Sequence, residues 1–108
     1  MINIVLLYFI GCLSWQKGLE NLKSAIAAEN LEPNIQLVRV ESNKEAKNWK
    51  FLGSPSFRVN GQELWPEEQE DYYLGCRVYN TGHGFSGFPS VEMIQAKLQE
   101  IRSSEIPR

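Results

Sequence analysis

Ile2-Asn3-Ile4-Val5-Leu6-Leu7-Tyr8-Phe9 is a nearly continuous β-branched and aromatic run. It is short for a helix and too apolar for a strand with one wet face, so it predicts a buried strand in the centre of a sheet. Beyond it, Trp15, Leu19, Leu22 and Ile26 recur at spacings of four, three and four, with Lys17, Glu20 and Lys23 between them. That is one apolar face of a helix, and Glu32-Pro33-Asn34 is expected to break it. Ile35-Gln36-Leu37-Val38-Arg39-Val40 predicts a second strand, and a helix between two strands implies a right-handed βαβ crossover.

Ser42-Asn43-Lys44-Glu45 has the form of a capping box and announces a short helix through Trp49. After Gly53-Ser54-Pro55, Phe57 and Val59 alternate with Ser56 and Arg58 up to Asn60-Gly61, a strong hairpin signal, and Gln62-Glu63-Leu64 returns. Ser90 is placed to cap a last helix whose buried face is Val91, Ile94, Leu98 and Ile101. Ser103 to Arg108 is expected to fray. The order is β-α-β-α-β-β, an extended segment, then α: one α/β domain over residues 1–108 with a central mixed sheet.

Residues 65–89 form an insertion before the last helix, too long to be structureless in a compact domain. Leu74, Cys76 and Val78 alternate with Gly75, Arg77 and Tyr79, which predicts a short extra strand or extended segment whose first three could share a core-facing side. Glu67, Glu68, Glu70 and Asp71 read as a solvated acidic turn, and Gly82, Gly84 and Gly87 as a flexible stretch. Trp65, Tyr72, Tyr73, Tyr79, Phe85 and Phe88 crowd the region, either as an aromatic wall or, more simply, as a local mini-core.

Composition narrows the function classes. The chain has 108 residues, 43% of them apolar and 22% charged, enough for one ordinary core. A formal net charge of -2 leaves no broad cationic field for phosphates, so no nucleic-acid partner is expected. No segment reaches the ~18 apolar residues of a membrane span, so no membrane partner is expected either. Two cysteines cannot make a dense disulfide framework, which favours a reducing, cytoplasmic setting. Phe9-Ile10-Gly11-Cys12 faintly echoes a lipoprotein cleavage site. Met1-Ile2-Asn3 carries no Lys or Arg, however, and cleavage there would delete the central strand.

The chemistry-bearing residues are few. Cys12 stands just ahead of the first predicted helix, where unpaired N–H groups and the helix dipole favour a thiolate, so it is the candidate nucleophile; otherwise it is a small buried packing residue. A cis bond at Pro55 would bend the chain and expose the Ser54 backbone to an extended ligand, whereas a trans proline would merely begin an edge strand. Cys76 could resolve an oxidised Cys12, share a soft metal with it, or simply face the core. Arg77 could steady a thiolate or an anionic substrate, although an exposed strand arginine is the plainer reading. Cys12, Cys76 and His83 could supply three zinc ligands, but their spacing does not require them to meet and His83 is expected to face solvent. No cofactor and no metal set is assigned.

Gly11-Cys12 with Trp15, then Gly53-Ser54-Pro55, then Leu74-Gly75-Cys76-Arg77-Val78-Tyr79 and a last helix resemble a family of small bacterial thioredoxin-like proteins over nearly the whole chain. Members commonly show a Cys-Pro-x-Trp turn, a Gly-Ser-Pro turn and a Leu-Ser-Cys-Arg-Val-Tyr segment; here Leu13 replaces the proline and Gly75 the serine. The resemblance implies a thioredoxin-like fold in which Cys12 faces a cis-proline. It also implies a paired role for Cys12 and Cys76, and a substrate surface of Trp15, Ser54, Pro55 and Arg77. Trp15 stands where a Cys-x-x-Cys pair would have its second cysteine, so efficient dithiol oxidoreductase activity is not expected. Some relatives are labelled alkylmercury lyase-like, and Cys76-Arg77-Val78-Tyr79 is weakly similar to a cysteine-bearing segment of organomercurial lyases. Three functions are therefore expected to compete: thiol redox or thiol binding with a thiol-containing small molecule or protein, soft-metal or organomercury binding by the two cysteines, and a non-enzymatic interaction domain.

Overall fold

The computed structural model describes residues 2–105, with side chains through Arg102. The opening run forms β1 (Asn3–Tyr8), followed by α1 (Ser14–Ala28), β2 (Asn34–Arg39), α2 (Asn43–Trp49), β3 (Ser56–Val59), β4 (Gln62–Glu63), β5 (Tyr79–Asn80), β6 (Phe85–Ser86) and α3 (Val91–Glu105). A four-stranded sheet has the order β2-β1-β3-β4, with β1 parallel to β2 and antiparallel to β3. The sheet is thus mixed and β1 lies inside it, as its apolarity predicts.

Alternation along β1 divides the core. Ile4 and Leu6 lie opposite Val59 and Phe57 in register. These four pack with Leu22, Ala25 and Ile26 of α1 and Ile94 and Leu98 of α3. Leu7 points the other way, into a smaller cluster with Val40, Ala46 and Phe51. The result is a helix layer on each face of the sheet, the usual way of burying both sides of a central strand.

Helix ends follow local rules. α1 stops before the Glu32-Pro33 break because Asn30 takes a left-handed φ of 53°. The Leu31 N–H then donates to the Ile26 carbonyl and the Asn30 N–H to the Ala27 carbonyl, a Schellman closure. Ser42 caps α2 by accepting from the Glu45 N–H at 3.1 Å, while the Glu45 carboxylate reaches back to the Glu41 N–H. Ser90 accepts from the Met93 N–H at the start of α3. This helix continues through Glu105 rather than fraying from Ser103, helped by Arg102, which donates to the Glu29 carbonyl of the α1 end. The remainder of that expectation, Ile106 to Arg108, lies outside the described residues. Asn60 and Gly61 both adopt positive φ, 51° and 85°, as a two-residue hairpin turn requires.

The insertion contains one isolated bridge, Ser54 to Cys76, and the small β5–β6 ribbon. Its predicted facing holds for Leu74, which packs against the Phe51 cluster, but is reversed beyond it: Cys76 and Val78 are exposed, whereas Arg77 and Tyr79 are buried. The reason is Tyr79. Its ring packs edge-on against Trp65 at 5.4 Å and Phe57 at 6.4 Å, and its hydroxyl donates to the Pro55 carbonyl. Burying that ring outweighs burying a valine, and the period of two in extended chain then turns Arg77 inward and Cys76 outward.

Candidate functional site

The site is three pieces of backbone held together at Ser54. The chain leaves β1, turns so that the Cys12 N–H donates to the Phe9 carbonyl at 3.0 Å, and enters α1 two residues later. Leu13, at the cap position, offers no side-chain acceptor to the first turn. The second piece is the turn into β3, where the Ser54–Pro55 peptide is cis. Pro55 packs on α1, where a Cβ built at Gly18 would lie only 3.0 Å from the proline Cγ. The third piece is residues 74–77 of the insertion.

Every polar group of Ser54 is engaged. Its N–H donates to the Gly75 carbonyl at 2.8 Å, its carbonyl accepts from the Arg77 N–H at 3.0 Å, and its hydroxyl oxygen accepts from the Phe9 N–H at 2.9 Å. The insertion therefore occupies the same backbone positions at which an extended ligand was expected. Gly53 makes the approach feasible: its φ is +112°, and a side chain there would meet the Arg77 Cβ at 3.0 Å. Leu74 is anchored by donating its N–H to Asn43 Oδ1 at the start of α2.

Cys12 and Cys76 are joined by a disulfide with their Cα atoms 5.8 Å apart, within the ordinary range. Cys12 is only 4% exposed, with its Sγ 3.7 Å from the Ser54 carbonyl oxygen, whereas Cys76 is exposed. The bridge is flanked in sequence by two exposed apolar residues, Leu13 and Val78. The pairing that the sequence left open against a core position for Cys76 is thus present.

The remaining predicted residues go to different tasks. Trp15 stacks on Tyr8 with ring centroids 4.2 Å apart and packs on the α1 side of the core. Arg77 is buried rather than exposed: it donates to the Trp65 carbonyl, lies 3.6 Å from both the Glu63 and Glu67 carboxylates, and sits over the Tyr79 ring. Those two carboxylates, Glu63 from β4 and Glu67 from the region read as a solvated acidic turn, offset the charge that the core would otherwise reject. Burial pushes the Tyr79 phenol well above the ordinary tyrosine range, against a smaller opposing effect of the Arg77 charge. His83 is exposed on the ribbon turn. Among the described residues no group of three or more His, Cys, Asp or Glu is arranged to hold a metal ion, and no helix is long and apolar enough to cross a membrane.

Asn43, Gly53 and Tyr79 position the insertion, and sequence reasoning assigned them only caps, turns and packing. Their roles depend on contacts between segments distant in the chain, which no local pattern carries. In comparisons with protein-family models, curated proteins and solved structures, nothing matches this chain.

Proposed function

We propose that this chain is a thioredoxin-like thiol–disulfide exchange protein whose redox couple is Cys12 and Cys76. The observation that carries the reading is the disulfide between the sulfur at the start of α1 and a segment seated on the backbone of a cis-prolyl turn. The strand order β2-β1-β3-β4, with a parallel first pair and an antiparallel second, supports the fold assignment. In the reduced protein, uncapped N–H groups at the start of α1 favour the Cys12 thiolate. That thiolate attacks a partner disulfide; Cys76 then displaces the partner, leaving the Cys12–Cys76 bond and a partner dithiol. With the insertion released, the Ser54 N–H and carbonyl become available to an extended thiol-bearing partner. In a reducing compartment such as the cytoplasm, a disulfide of this kind belongs to the exchanging class rather than the permanent one.

Alkylation of the reduced protein at graded pH tests the proposal. Cys12 should reach half its maximal rate below ~8.5, the value for a free thiol, and the oxidised protein should equilibrate reversibly with a glutathione buffer. A Cys12 that titrates no lower than a free thiol, in a protein that never reoxidises, would overturn it.

A further inference from the structure

The two sulfurs differ in access, and this sets the direction of exchange. Disulfide exchange requires the incoming thiolate to approach a sulfur along the S–S axis, from the side opposite the leaving sulfur. Cys12 is only 4% exposed and its sulfur abuts the Ser54 carbonyl, which leaves an incoming thiolate little room there. Cys76 is an exposed residue. Cys76 also borders a cleft of about 240 Å³ whose lining includes Gly53, Tyr73, Gly75 and Val78, which gives an arriving thiol room beside the bridge.

Building on the exchange function proposed above, we infer that Cys76 is the sulfur through which small-molecule thiols, unlike a partner that displaces the insertion, enter the oxidised protein, and that Cys12 is then the internal leaving group. An external thiolate forms a bond to Cys76 Sγ, the Cys12–Cys76 bond breaks, and the electron pair departs on Cys12 Sγ. The Cys12 thiolate is released at the uncapped start of α1, where the N–H groups stabilise it. A second external thiolate then attacks the external sulfur of the mixed disulfide. This releases the Cys76 thiolate and one molecule of oxidised external thiol, two electrons having passed to the protein. For a small-molecule disulfide run in reverse, the mixed disulfide again sits on Cys76 and the Cys12 thiolate closes the bridge. The order in which the two cysteines act thus depends on which one a partner can reach.

Glutathione is the probe. The oxidised wild-type protein is exposed briefly to glutathione, quenched with N-ethylmaleimide and mapped by mass spectrometry. Glutathione should be found on Cys76 and maleimide on Cys12, in at least ten-fold excess over the converse arrangement. In Cys12→Ser, a Cys76 adduct formed by exchange with oxidised glutathione, one reduced glutathione leaving, should persist, whereas in the wild type the Cys76 adduct should decay as Cys12 expels glutathione. Adducts mainly on Cys12, or equally on both, would overturn this inference while leaving the exchange function standing. A bridge that resists even excess dithiothreitol, with no adduct on either sulfur, would overturn both.

Discussion

Tyr79 shows how much one side chain decides here. Its hydroxyl is the donor to a buried prolyl carbonyl, and its ring sets which neighbours face the core. Tyr79→Phe leaves that carbonyl unpaired and should cost about 1–3 kcal/mol, read from urea unfolding of the oxidised protein. The same phenol makes stability depend on alkaline pH. Its folded-state proton affinity is raised by burial, so its contribution is complete below the unfolded value of about 10 and is lost as pH rises beyond it. The wild-type unfolding midpoint should therefore fall more steeply above about pH 10 than that of Tyr79→Phe. Cys76 belongs to the same lesson. Alternation correctly grouped it with Val78 but not with Leu74, which does pack on the core, and the face of the two was reversed because two interleaved sets of residues competed and only packing against Phe57 and Trp65 chose between them.

Helices and turns were the most legible features, since their determinants are local. Trp15, Leu22 and Ile26 marked α1, Ser42 and Ser90 marked caps, and Asn60-Gly61 marked the hairpin, each through contacts within a few residues. The end of α2 at Trp49 was legible too, but the residue that closes it carries no local signal. α2 closes with Lys50 at a left-handed φ of 55°, the Phe51 N–H donating to the Ala46 carbonyl across it. A lysine has no chemical preference for that conformation, which costs a residue with a Cβ about 1–2 kcal/mol. Lys50→Gly should thus stabilise the protein by about 0.5–1 kcal/mol, measured as an upward shift of the urea midpoint with an unchanged slope. The hydrogen bonds from Arg58 to the Trp49 and Lys50 carbonyls use only backbone acceptors and should survive.

Across the molecule, the Cys12–Cys76 bond closes a span of 64 residues, from the start of α1 to the insertion. In the loop-entropy view, a crosslink over 64 residues restrains the unfolded chain by about 4 kcal/mol. Reduction, or the Cys12→Ser and Cys76→Ser double variant, should lower stability by up to that amount while β1, β2 and β3 stay paired; thermal unfolding and amide exchange of the sheet would check it. The strands and helices were written in hydrophobic periods, caps and turn residues, because those act between neighbours in the chain. Tertiary structure alone decided that residues 75–77 would occupy the Ser54 backbone, that Arg77 would be buried against Glu63 and Glu67, and that one sulfur would face inward and the other outward. Each of those outcomes depends on groups far apart in sequence competing for the same core volume and the same hydrogen-bonding atoms, a competition that is settled only when the chain has closed.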